Sequence, residues 1–453
     1  MTCCGLGDKE DMKVSGWGNY PAIEADVKVA RRKGEAPNCM RALESLIARG
    51  LGRSYGDSSL NSHIISTLGL NRLLFFDDTQ GIVTCEAGVS LKELIDIFLP
   101  RGWFLAVTPG TKFVTVGGAI AADIHGKNHH REGTFTEHVL SFDMLLPTGD
   151  SVTCSRSENA DMFKSVCGGM GLLGIILTAT FRLKKIETSC IKSRTQRAKN
   201  LDTIMDLFEE HEQSTYSVAW IDCLAKGRNL GRSILMLGEH ATAKDLGEWK
   251  MSGNSLAVKD RKKISVPFNL PNFALNNLTV KSFNCLYYRR HASGPREALV
   301  DYDAFFYPLD ALYQWNRIYG SRGFTQYQCV LPKASSRQGL HKILTAIGER
   351  GLGSFLAVLK LFGRGNDNLI SFPMEGYTLA LDFPITPGLF DFLNELDRVV
   401  LEHGGRLYLA KDVRMGKDMF MSSYPNAGKF VQFKHSIDKD NRLQSLQSKR
   451  LGV

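Results

Sequence analysis

No window of this chain reaches the roughly 18 consecutive apolar residues that a membrane-spanning helix needs, so no helical span is expected. The opening MTCCGLGDKEDMK carries charge where a secretory signal needs its apolar region, and no such signal is read there. Ten cysteines are scattered without a CxxC pair, and the adjacent Cys3 and Cys4 suit neither zinc nor an ordinary disulfide. A reduced, intracellular protein is the expectation. Helix-turn-helix, zinc-finger and RNA-binding aromatic signatures are missing, which sets nucleic acid aside. A Walker loop and a G-x-G-x-x-G following a strand are missing too, so the usual nucleoside-triphosphate and nicotinamide fingerprints are unmet. The net charge of +9 favours an anionic partner or a membrane surface, but it is modest for 453 residues.

The length predicts two domains, and 43% hydrophobic with 23% charged residues is the balance of a globular protein. Glycine is plentiful at 43 residues, and much of it falls in three clusters. The first is Ala48 to Asn61, ARGLGRSYGDSSLN. The second is Thr108 to Arg131, where Gly110, Gly117, Gly118 and Gly126 lead into Asp123, His125, Lys127, Asn128, His129 and His130. The third holds Gly168, Gly169, Gly171 and Gly174. Backbone without side chains can turn sharply and bring its N–H groups against an anion. The second cluster is therefore either the wall of a large anionic cofactor or a strand bend with a solvated tail.

Residues 1–20 read as a frayed leader, and apolar spacing from Cys39 to Ile47 is helical. GIVTCEAGV, Gly81 to Val89, alternates like a strand. Ser90 followed by Glu93 forms a capping box, and Leu91, Leu94, Ile95 and Phe98 share one helical face until Pro100. A strand and turn follow over His138 to Asp150, then a short helix, the third glycine cluster and a strand into Leu183. After about Lys185, aromatic strands are expected at Tyr216–Leu224, Ala304–Leu309, Gly323–Leu331, Ser354–Phe362 and Gly376–Ile385, with a helix at Leu389–His403. These predict an antiparallel sheet with helices on one face, an α+β protein. Val258 to Asn277 mixes Lys259, Arg261, Lys262 and Lys263 with Phe268, Leu270, Phe273 and Leu275. It reads as a mobile lid, a surface that touches lipid, or an ordinary solvated loop.

ARGLGRSYGD, PGTKFVTVGGAIAADIHGKNHH, GGMGLLGI, FTQYQ and GGRLYLAKD occur in one order along nearly the whole chain. Together they resemble the vanillyl-alcohol-oxidase type of FAD-dependent oxidoreductases, and within it the branch acting on polyprenylphosphoryl sugars. The resemblance implies a two-subdomain FAD-binding (PCMH-type) domain over 1–187 and a substrate domain over 188–405. A segment at 406–453 would return to the FAD domain. It implies FAD contacts from Ala48, Arg49, Gly50, Leu51, Gly52, Arg53, Ser54, Tyr55, Gly56, Asp57 and Ser58. Gly110, Thr115, Val116, Gly117, Gly118, Ala122, Asp123, Ile124, His125, Ile175 and Tyr408 would complete them, with Ile175 an apolar wall for the adenine. FAD is expected to be held non-covalently. The implied activity is oxidation of a sugar secondary alcohol, the 2′-hydroxyl of a polyprenylphosphoryl-β-D-ribose, followed by reduction on a short-chain NAD(P)H-dependent keto-reductase. An aldonolactone or alditol oxidase, or a non-catalytic flavin-binding scaffold, are the alternatives. The expected location is cytoplasmic, with peripheral contact to the inner membrane or a periplasmic site also open.

On the substrate side the resemblance implies Tyr55, His125, Gln326, Gln328, Lys360 and Lys411, with Lys411, Tyr55 and His125 catalytic. An ammonium at Lys411 would stabilise developing negative charge; the alternative is a surface lysine paired with Asp412. Gln326 and Gln328, two apart on a strand, share a face that meets either a sugar or water. Lys360 either pairs with a phosphate or points to water from an edge strand, and Tyr55 faces ligand or stacks in the core. His125 and His129 stand at a metal-ligand spacing, but no carboxylate or cysteine motif completes a site, and no metal is expected. The best-known relatives carry asparagine and cysteine where this chain has Thr378 and Ala380, a departure on the substrate side.

Overall fold

A computed structural model of the chain describes residues 10–453 except 33, 36, 38, 39, 41, 42, 251, 252, 258–263, 272–275, 293 and 355. Three main sheets organise it. The first runs Glu10–Ser15, Ala22–Val29, His63–Ser66, Ile47–Arg49, with the last two pairings parallel. The second runs Leu73–Asp77, Ile82–Glu86, Ile175–Lys185, Val139–Leu145, Ser151–Ser155, and Trp103–Leu105 also pairs with Ile175–Lys185. The third has eight strands in the order Arg296–Asp301, Cys190–Ala198, Ser233–His240, Tyr216–Ile221, Ala357–Phe362, Gly376–Pro384, Phe324–Pro332, Arg406–Leu407, antiparallel throughout. Helices and sheets are thus mixed in an α+β fold.

Local chemistry sets several of these elements. Ser90 caps Leu91–Phe98: its Oγ accepts from the Glu93 amide at 3.2 Å, and Glu93 accepts from the Ser90 amide at 2.8 Å. Leu91, Leu94, Ile95 and Phe98 are its buried face, as the spacing requires. In the eight-stranded sheet, alternation separates two faces. Tyr327, Leu331, Tyr377 and Leu379 point one way, toward helices; the Tyr377 hydroxyl donates to the Met205 carbonyl at 3.2 Å and to Glu209 at 2.8 Å in Leu201–Glu210. Gln326, Gln328, Thr378 and Lys360 point the other way and line a cavity.

Three expectations need correction. Residues 10–15 are not frayed: they pair antiparallel with Ala22–Val29, and Trp17 packs edge-on against Trp315. Ile47 starts a strand instead of closing a helix; Cys39 lies outside the described residues. Ala304–Leu309 is helical, as Tyr302–Phe306 and then Pro308–Ala311. There Asp301 accepts from the Asp303 amide at 2.9 Å, and that cap overrides the strand preference of the aromatic run. Of the segment read as a lid, Lys259, Arg261, Lys262, Lys263, Phe273 and Leu275 lie outside the described residues. Ile264–Ser265 pairs parallel with Leu312–Tyr313, and Phe268 is exposed.

The last helices, Lys417–Ser423, Ala427–Ile437 and Leu446–Leu451, return to the first glycine loop. The Leu46 amide donates to Arg442 and the Leu446 amide to Leu60, both at 2.8 Å. Arg450 meets Asp57 at 2.7 Å and Asp412 at 2.9 Å, two nearly buried carboxylates. Replacing Arg450 by Met leaves both without this cation, and about 3 kcal/mol of stability should be lost. Chemical denaturation at neutral pH reads this directly; an unchanged midpoint would show that the bridge contributes nothing.

Candidate active site

The cavity occupies about 1700 Å³ between the glycine loops and the polar face of the large sheet. One small ligand usually takes about 300–1,000 Å³, so there is room for a dinucleotide and a second molecule. On one side run residues 48–55, with Ser58. Gly50 has to be glycine because a Cβ there would overlap Thr115 Oγ1. That hydroxyl accepts from the Gly118 amide at 3.2 Å and caps Val116–Ala121. Gly56 sits against the Asp412 carbonyl, with no space for a Cβ. The amides of Gly50, Leu51, Gly52, Arg53 and Ser54 donate to no group among the described residues, and these five residues line the cavity.

The opposite wall is built by strand register. Gln326 stands across from Asp382, Gln328 from Ala380, and Lys360 from Thr378. Gln326 Nε2 donates to Asp382 at 2.6 Å. Gln328 Nε2 contacts His125 Nε2 at 3.0 Å and donates to Thr378 Oγ1 at 3.2 Å. Lys411 Nζ lies 3.8 Å from the centre of the Tyr55 ring, and the Tyr55 amide donates to the Ala410 carbonyl at 3.0 Å. Lys127 donates to the Phe305 carbonyl.

Burial dominates the electrostatics. Loss of solvent brings Lys360 down to about 8, and Lys127 and Lys411 to about 7, with Lys360 repelling the other two. His125 is held well below the usual histidine value, first by desolvation and then by Lys360, His129 and Lys411, so it is neutral at pH 7. Desolvation also pushes the Asp382 carboxyl up to about 7, against its bond to Gln326 and the charge of Lys411.

Most of the residues expected at the site gather here, with five exceptions. Val116 is core, Gly56 packs on backbone, and Asp57 faces Arg450. Asp123 is wholly buried, accepting from Thr136 at 2.6 Å, Asn366 at 2.8 Å, Asn368 at 3.0 Å and Ser371 at 2.5 Å. It braces the backbone where its φ is +39°. Ile175 packs in a core with Leu46, Ile65 and Leu145; its neighbour Ile176 lines the cavity. Lys411 is no partner of Asp412, which serves Arg450 and the Arg414 and Met415 amides, and Lys360 is on an internal strand. The His130 ring turns to the Ser214 carbonyl at 2.7 Å and His129 packs on Phe362. Among the described residues no three metal-ligating side chains converge. Lys127 and Asp382 went unassigned in sequence; a carboxylate in an apolar strand, LALDFP, was the available signal.

Residues 35–155 match the model of the FAD binding domain. Over 449 residues the chain is 37% identical to decaprenylphosphoryl-beta-D-ribose oxidase of Mycolicibacterium smegmatis, covering 97% of each chain. The chain belongs to this oxidase family. An uncharacterized Streptomyces coelicolor protein is 31% identical over 373 residues, 81% of this chain and 100% of its own. L-gulonolactone oxidase of Mus musculus is 30% identical over 159 residues, 34% of this chain and 36% of its own. The protein is an FAD-dependent oxidoreductase of CH–OH groups. The residues present suit that cofactor: five loop amides without partners among the described residues are donors for a pyrophosphate, and the cavity has the required size. Gly50→Ala should push Thr115 aside and lower FAD occupancy at least several-fold. Flavin released per mole of denatured protein measures it, and full occupancy would remove Gly50 from the binding account.

Proposed function

We propose that the protein oxidises the 2′-hydroxyl of a polyprenylphosphoryl-β-D-ribose, the first half of an epimerisation to the arabinose form. The near full-length likeness to an oxidase of that name carries the reading. The cavity supports it, because one wall combines amides suited to sugar hydroxyls with lysines suited to a phosphate. In this reading 1–187 is the FAD-binding domain of two subdomains, 188–405 the substrate domain, and 406–453 the segment that returns. Bound FAD contributes the capacity to accept a hydride.

The chain supplies the rest. Gln326 and Gln328 orient the sugar, and neutral His125, held at Nε2 by Gln328, packs beside it without adding charge. Lys360 Nζ meets the phosphate. Lys411 places positive charge in a water-poor site, where it stabilises negative charge that develops during reaction. The 2′-keto product then needs a hydride donor for reduction from the other face, which makes an NAD(P)H-dependent keto-reductase the pathway partner. The amphiphilic substrate also suits peripheral contact with a bilayer. From residue 261 to 296 the sequence has no carboxylate but carries Arg261, Lys262, Lys263, Lys281, Arg289, Arg290 and Arg296. Phe268, Leu278 and Leu286 are each more than 60% exposed, and Phe283 and Tyr287, on the same helix as Leu278 and Leu286, line the cavity. Among the described residues no helix is long and apolar enough to cross a membrane.

Anaerobic addition of prenylphosphoryl ribose should bleach the visible absorbance of the holoprotein, while free aldonolactones should not. Bleaching by the lactones alone would transfer the reading to the lactone oxidases. Lys360→Ala should raise KM for the phosphorylated substrate about 10- to 100-fold, the worth of a charge-assisted hydrogen bond of about 1.5–3 kcal/mol. In the native enzyme kcat/KM should decline as pH rises from about 7 through about 8, where Lys411 and then Lys360 shed their protons. Leu278→Asp with Leu286→Asp should weaken sedimentation with anionic vesicles and leave turnover of a short-chain substrate intact; unchanged sedimentation would remove this face from membrane contact.

A further inference from the structure

Asp382 is wholly buried and takes no part in lining the cavity, yet its bonded partner Gln326 does. It lies on Gly376–Pro384, opposite Gln326 in register, so the two side chains share the polar face of the sheet. Gln326 Nε2 donates to one carboxyl oxygen at 2.6 Å and the Tyr319 hydroxyl to the other at 3.3 Å. The Asp382 amide is itself fixed, donating to Ser354 Oγ at 3.0 Å. No cation makes a direct ion pair with it among the described residues; Lys411 is the cation it senses, from beyond contact. A buried carboxylate without a paired cation is costly and needs a reason.

We propose that Asp382 is a positioning residue for the reaction: from behind the cavity wall it orients the Gln326 amide. The chemistry follows from the donor inventory. A carboxylate only accepts, so the NH₂ of Gln326 must turn toward it, and the amide oxygen is left to face the cavity. An acceptor oxygen there selects a ligand hydroxyl over an ether or a carbonyl. The negative charge also opposes the desolvation of Lys411, which Lys360 aggravates. The charged or titratable groups around the pair are Lys411, Lys360, Tyr55, Tyr319 and His125, with Arg53 acting on Tyr55. Asp382 is the carboxylate that raises Lys411. The proposal rests on the sugar-oxidase reading for the identity of the hydroxyl, but not for the orientation or the charge.

Stability and rate, read together against pH, separate this role from a structural one. Burial raises the Asp382 carboxyl to about 7 in the folded state, above the ~3.9 of an unfolded aspartate. Its contribution is therefore fully present below pH ~4 and is lost as pH rises toward 7. Asp382→Asn cannot ionise. Its melting temperature should fall less than that of the native protein between pH 4 and 8, measured without substrate. At the same time kcat/KM of the holoprotein should drop on the order of tenfold or more, and its alkaline limb should move to lower pH because Lys411 loses its counter-charge. A variant with native turnover and an unmoved limb overturns the proposal, as does one whose melting temperature tracks the native protein across that range. Should the Asn variant not fold, Tyr319→Phe keeps the ring stacked on Phe324 at 4.1 Å and removes one donor to the carboxylate. On the acid side kcat/KM should fall as the Asp382 carboxyl takes up its proton; without the Tyr319 donor that fall should come at higher pH than in the native enzyme, and an unmoved fall again overturns the idea. If prenylphosphoryl ribose fails to bleach even the native protein, the substrate reading falls, while the substrate-free pH arm still decides the role of Asp382 in the pair.

Discussion

Lys127, Lys360 and Lys411 face one poorly hydrated cavity, and the rest of the site is arranged around the cost of keeping them there. Desolvation brings all three below the usual lysine range, and mutual repulsion through Lys360 adds to it. The protein offers little relief from within: a carbonyl for Lys127, an aromatic ring for Lys411, and Asp382 at a distance. Such a wall is under-neutralised, and anionic ligands complete it. A dinucleotide pyrophosphate on the loop amides and a phosphate beside Lys360 would both draw on this same deficit.

The two walls are not independent. Tyr55 belongs to the glycine loop, but its amide is held by Ala410 and its ring lies under Lys411. One residue further on, the Asp412 carbonyl closes over Gly56, and the Asp412 carboxylate shares Arg450 with Asp57. A single stitch from the C-terminal helix therefore sets both the cofactor loop and the lysine facing it. This explains why Gly56 and Asp57 sit in a cofactor-binding motif without lining the cavity. Their contacts hold the loop against residue 412, next to Lys411.

Much of the architecture is legible in sequence because it is encoded locally. The capping box at Ser90 and Glu93, the aromatic strands Tyr216–Ile221, Phe324–Pro332 and Gly376–Pro384, and the glycine clusters depend on neighbours a few residues away. What escaped depends on distant partners. The strand at Glu10–Ser15 is polar, and it is ordered by pairing with Ala22–Val29 and by Arg49 on the Ser15 carbonyl. The aromatic run at Ala304–Leu309 has strand composition, but Asp301 starts a helix into a ready-made aromatic pocket of Phe104, Tyr216 and His240. Asp382 is visible as a carboxylate in an apolar strand, yet its meaning requires the register that sets it opposite Gln326. Asp123 shows the converse. Its place inside a binding motif suggested ligand contact, whereas four side-chain donors make it a brace for the turn.

The departures at Thr378 and Ala380 gain sense from the same register. The polar face has three rows: Gln326 with Asp382, then Gln328 with Ala380 and Val358, then Thr378 with Lys360. Thr378 does not reach for a ligand alone. Its hydroxyl donates to the Cys329 carbonyl at 2.8 Å and accepts from Gln328 at 3.2 Å, so it fixes the second amide as Asp382 fixes the first. Ala380 keeps the middle row low. Hydrogen-bonding amides thus stand at one end of this face, with the Asp382 carboxylate behind them, and at the other end stands the Lys360 ammonium, which has no ion-pair partner among the described residues. A molecule with hydroxyls at one end and an anion at the other matches that order, and a small neutral lactone leaves the lysine end unanswered. The sheet register, more than any single side chain, is what sets the order of these groups along the face.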